Sequence, residues 1–87
     1  MSGKYTPLQH YLKALPKSQR DVILTYNQIE RILNDELPKS ASHHRPWWSN
    51  EVEGSHVQAR SWLDAGWKVE TVDSNKKLVR LIRNKNG

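Results

Sequence analysis

Four tryptophans fall between positions 47 and 67, in a chain of 87 residues with no phenylalanine and no cysteine. Any core must be assembled around Trp47, Trp48, Trp62 and Trp67, helped by Tyr5, Tyr11 and Tyr26. A chain this short makes one domain. Its apolar share of 36% sits below the roughly 45–50% of an average globular domain, so the core is small. A full active-site cleft seldom fits such a chain, and the expectation is a protein that is not an enzyme. Lack of cysteine excludes disulfides, thiol catalysis and cysteine-based zinc sites. No apolar run approaches the ~18 residues that would span a bilayer. Met1-Ser2-Gly3-Lys4 leads into no apolar stretch of the signal-peptide kind. The expected location is cytoplasmic.

Three positions carry a capping box, in which Ser or Thr and a Glu or Gln three residues on satisfy each other's backbone N–H groups. They are Thr6–Gln9, with Pro7 at the favoured first helical position, Thr25–Gln28 and Ser55–Gln58. Each precedes an apolar stripe. The first predicts a helix from about Pro7 to Leu15 that buries Leu8, Leu12 and Leu15 and stops at Pro16. The second predicts a helix from Tyr26 to Asn34 with Ile29, Ile32 and Leu33 inward. The third predicts a helix from His56 to Ala65 with Ala59, Trp62 and Leu63 on its inner face, and Gly66 after its end.

Between the first two, Val22-Ile23-Leu24 is a short β-favouring run. The stretch 35–50 obeys no period; Leu37-Pro38 can open a short helical turn through Ala41. After Gly66 the pattern alternates. Trp67, Val69 and Thr71 are expected on one side of a strand, residues 73–77 in a turn, and Leu78–Arg83 in the return strand.

The expected fold is α+β: three main helices, a short strand and a C-terminal β-hairpin. That order is the order of a winged helix-turn-helix, whose third helix enters the major groove and whose hairpin forms the wing. The spacing departs from the rule, because about 20 residues separate Asn34 from His56 where three or four are usual.

Charge favours the same reading. Net charge is +5, and residues 66–87 carry six basic side chains against two acidic ones. Lys76 and Lys77 fall at the wing tip, where they could neutralise phosphates; the plain alternative is an edge strand kept soluble by lysines. On the third helix, Ser55, His56, Gln58, Arg60 and Ser61 lie near the N-terminal half, and Gln and Arg can read adenine and guanine. The plain alternative is a solvated face. In Trp47-Trp48, one ring is expected in the core and the other partly exposed, available to stack on a base. Metal binding has little behind it: His43 and His44 with Glu51 or Glu53 show no diagnostic spacing, and the carboxylates are too sparse for a magnesium nuclease. No cofactor is implied.

Several short strings run together here: Leu8-x2-Tyr11-Leu12, Ile29-Glu30-x-Ile32-Leu33, Leu37-Pro38-x-Ser40-Ala41, Arg45-x-Trp47-Trp48-x-Asn50, His56-x-Gln58-Ala59 and Ala65-Gly66-Trp67-x-Val69. The pattern resembles a small, poorly characterised prokaryotic domain family whose members stand alone or beside nuclease-like and other DNA-processing domains. Asn34 stands where that family often has glycine. The resemblance implies association with nucleic acid and directs attention to Arg45, Trp48, Asn50, His56 and Gln58. Together these readings lead to a non-catalytic binder of double-stranded DNA that uses the third helix, residues 45–50 and the wing lysines. The alternative is a protein-interaction module that docks an enzyme or a second copy through Trp47 and Trp48. Neither involves a membrane.

Overall fold

A computed structural model of the chain describes residues 3–51 and 57–84. Among these residues the order is α1 (Thr6–Lys13), β1 (Asp21–Thr25), α2 (Tyr26–Leu33), α3 (Ser40–His43), a 3-10 turn (Arg45–Trp48), α4 (Val57–Leu63), β2 (Trp67–Asp73) and β3 (Leu78–Arg83). The protein is therefore a mixed α+β domain. No helix among the described residues is long and apolar enough to cross a membrane.

The capping box of α2 forms as expected. Gln28 N–H donates to Thr25 Oγ1 at 3.1 Å and Thr25 N–H donates to Gln28 Oε1 at 2.8 Å. Asn34 closes that helix in the left-handed conformation, φ 55° and ψ 40°, which asparagine tolerates. The box at Thr6 does not form. The N-cap of α1 is Tyr5, with no side-chain cap, and Thr6 Oγ1 instead accepts from Gly3 N–H at 2.9 Å. The box at Ser55 lies outside the described residues. Helix α1 ends at Lys13, before Leu15, and α4 ends at Leu63, giving way to a turn in which Gly66 takes φ 86°.

The three strands make one antiparallel sheet in the order β1-β3-β2. The short run at residues 22–24 is thus no isolated strand; it pairs with the return strand of the hairpin, Leu24 opposite Val79. A bulge corrects the alternation expected for β2. Val69 faces Leu81 and Thr71 faces Arg80, so Glu70 is the extra residue. Beyond it the inward position passes to Val72, and Thr71 turns to solvent.

Helices α1, α2 and α4 cover one face of the sheet, and the core between them is indole-rich. Trp48, Trp62 and Trp67 are fully buried, together with Leu12, Ile29, Val79 and Leu81. Burying a ring of this size removes about 150–250 Å² from water, which at ~25 cal/mol/Å² gives about 4–6 kcal/mol each as an upper value. Each indole N–H also has an acceptor. Trp48 donates to Ala41 O at 2.8 Å, Trp62 to Asn50 Oδ1 at 2.9 Å and Trp67 to Leu12 O at 3.1 Å. The first bond closes the irregular segment on itself, the second ties it to α4 and the third ties α1 to the sheet, each removing the polar cost of burying an indole.

Candidate nucleic-acid interface

The sequence motif Arg45–Asn50 folds as the 3-10 turn Arg45–Trp48 followed by extended chain at Ser49. Trp48 lies between Tyr26 and Trp62, stacked on each at centroid distances of 5.6 and 5.8 Å. Trp47 packs edge-on against Trp48 at 4.7 Å and Tyr5 at 5.9 Å, half-buried. One ring is core and the other partly exposed, as expected, but the order corrects the assignment of Trp48 to DNA contact: it is 1% exposed. Asn50, by contrast, is exposed, and it is the amide group that is committed. Asn50 spends its amide on the protein, donating to Val69 O at 2.9 Å and accepting from Val69 N–H and Trp62 Nε1–H, each at 2.9 Å.

Helix α4 offers less than its sequence suggests. Gln58 is 5% exposed and donates to Trp47 O at 2.8 Å; Ser61 is 3% exposed and donates to Gln58 O at 2.6 Å. Both were expected on or at the edge of the outer face. They are buried because α4 packs against α1 as well as against the sheet, so its exposed residues are Val57 and Arg60, with Asp64 just past its end. Arg60 and Asp64 border a shallow depression with the chain around Lys4 and Tyr5. Ser55 and His56 lie outside the described residues.

The hairpin's positive charge is also partly committed. Arg80 is held by Asp21 and Glu70. Arg83 donates to Gln19 O at 2.9 Å and Pro16 O at 2.7 Å, with its guanidinium 4.1 Å above the Trp67 ring. Lys76 and Lys77 remain exposed at the tip. Asp73 Oδ1 shapes that tip by accepting from the N–H groups of Asn75 and Lys76 at 3.1 and 3.0 Å.

A second cationic element meets the wing there. Tyr26 N–H donates to Lys77 O at 2.8 Å, so α2 begins against the wing. Ser42, His43 and Arg45 face Ser74 across a cavity of about 180 Å³ whose other walls include Tyr26 and Trp48. Arg45 makes no ion pair among the described residues. The Tyr26 phenol is held above its ordinary pKa, first by burial; the Trp48 indole lowers it, Asp73 raises it and Arg45 lowers it. The Trp48 N–H is directed at Ala41 O, so the buried Tyr26 hydroxyl has no hydrogen-bond partner.

The structure thus brings Arg45 to the wing and leaves Arg60 on a different surface depression. Sequence reasoning missed Tyr26, Ser42 and Ser74. In the sequence Tyr26 reads as a core aromatic and the first residue of a helix; its place directly after a β-run and a capping threonine is the signal that sets it beside the wing. Among the described residues, no group of three or more His, Asp or Glu could hold a metal ion.

The class that these features define is a small α+β domain with a Trp-rich core and a cationic hairpin tip. The chain belongs to the family described as domain of unknown function (DUF7662), whose model matches residues 5–84. No match was found among curated proteins or among solved structures.

Proposed function

We propose that the domain is a non-catalytic binder of double-stranded DNA with a winged-helix-like architecture. The β2–β3 wing and the segment 42–45 form the main contact, and Arg60 on α4 a separate one. The observation that carries this reading is the junction at Tyr26. Its N–H is bound by Lys77 of the wing, its ring is stacked on Trp48, and Arg45 and Ser74 border the cavity beside it. Two elements distant in sequence therefore present Arg45, Lys76 and Lys77 at one end of the molecule. The strand order β1-β3-β2, with α2 entered directly from β1, suits a winged helix. Burial of Gln58 and Ser61 argues against α4 as a full base-reading helix, so backbone contact should outweigh sequence readout.

The test is a mobility-shift series with random duplex, single-stranded DNA and RNA at two salt concentrations. Duplex binding that weakens steeply with salt supports the reading. No binding to duplex at low salt overturns it. The alternative, docking of a protein through Trp47 and Trp48, would rest on the half-buried Trp47 alone, because Trp48 is buried.

A further inference from the structure

We propose that the cavity between the 3-10 turn and the base of the wing is a seat for one phosphate group. Resting on the DNA-binding reading, the inference names the atoms that would hold the backbone at one place. The cavity, about 180 Å³, is well above the ~10–15 Å³ that a single water needs and admits a tetrahedral anion. Its rim supplies the hydroxyls of Ser42 and Ser74, the His43 imidazole and the Arg45 guanidinium. Guanidinium and hydroxyl groups are the donors that phosphate oxygens take.

A second observation points the same way. Tyr26 lines the cavity, is 5% exposed, and keeps a buried hydroxyl without a partner. A hydroxyl in that state is costly, and native structures seldom leave one unless something fills the place. The phenol lies within the electrostatic reach of Arg45 and Asp73, which flank this side of the fold. Asp73 opposes Arg45 at the phenol, and its Oδ1 is tied to two backbone N–H groups of the wing turn, so Arg45 must supply the attraction for an anion. The basic groove beside Arg80 and Arg83 is a weaker candidate, because both guanidinia are already bound within the protein.

Tyr26→Phe is the decisive variant. It removes the hydroxyl and keeps the ring stacked on Trp48, so melting temperature should stay the same or rise. Duplex affinity should fall about tenfold with an unchanged salt slope, because no charge is lost. Arg45→Ala should also weaken binding about tenfold, but with the slope reduced by about one. Inorganic phosphate, titrated into the protein and followed by amide resonances, should shift Ser42, His43, Arg45 and Ser74 in the wild type and not in Tyr26→Phe. Where wild type binds duplex, the duplex arm decides: equal affinity of wild type, Tyr26→Phe and Arg45→Ala overturns the seat and leaves DNA binding standing. Where wild type binds no duplex, the phosphate arm decides. Shifts at those residues then keep the seat as a site for free phosphate while the DNA reading falls, and their absence overturns both.

Discussion

The side chain of Asn50 pairs with the backbone of Val69 as a neighbouring strand would, donating to its carbonyl and accepting from its N–H, each at 2.9 Å. Val69 lies on β2, whose outer edge no strand covers in the order β1-β3-β2. One amide therefore closes part of an open sheet edge, and its Oδ1 also receives the Trp62 indole.

Asn50→Ala should lower stability by about 2–4 kcal/mol, since it deletes these bonds and leaves buried partners unpaired. Asn50→Asp keeps the acceptor and loses the donor, so it should fall between. Urea unfolding reads the difference. Midpoints equal to wild type for both variants would show that the residue is merely a surface asparagine.

Gln58 and Arg60 should separate cleanly. Gln58→Ala removes a buried amide that holds Trp47 O and should cost about 1–3 kcal/mol. Arg60→Ala, on the exposed stripe of α4, should stay within about 0.5 kcal/mol. Thermal melts check both. If Arg60→Ala alters site preference in a binding-site selection, α4 reads bases after all.

At the wing, stability and affinity should move in opposite directions. Lys77 holds φ 55°, a region that costs a non-glycine residue about 1–2 kcal/mol. Lys77→Gly should therefore raise stability while it weakens duplex binding and lowers the salt slope. Adding Lys76→Ala should lower the slope by roughly one more. An unchanged slope in the double variant removes the wing from the interface.

Trp62→Ala should cost about 3–5 kcal/mol, close to the whole stability of a domain this small. The ring stacks on Trp48 and is 1% exposed, so loss of near-ultraviolet circular dichroism should accompany the loss of stability. A soluble variant with a wild-type melting temperature would contradict the stack.

Local signals carried the elements. The capping box at Thr25, the β-run at residues 22–24 and the turn before Leu78 each depend on neighbours in sequence; the first formed as expected, the run extends to Asp21–Thr25, and the turn is 74–77 because Asp73 still belongs to β2. Long-range partners were not legible. Asn50 is exposed, but the partners of its amide lie 12 and 19 positions away and no local pattern points to them. Gln58 and Ser61 looked solvated because helical period cannot show that α1 covers a second face of α4. Glu70 could not be read as a bulge, since the extra residue is defined only against β3. In the candidate site, the wing lysines were visible as turn residues, whereas Tyr26 became a candidate only once its hydroxyl was seen buried beside Arg45.

The middle position of β3 has a consequence for how the domain comes into being. A nascent chain grows from its N-terminus, and β1 and β2 both emerge before the strand that joins them. Until Leu78–Arg83 leaves the ribosome, Leu24 and Trp67 belong to two ribbons with nothing between them. The three-stranded sheet therefore cannot be complete before β3 has been synthesised. A stop after Lys77 would remove the keel of the sheet, and a chaperone that shelters the unfinished chain would have to hold it until those last strand residues arrive.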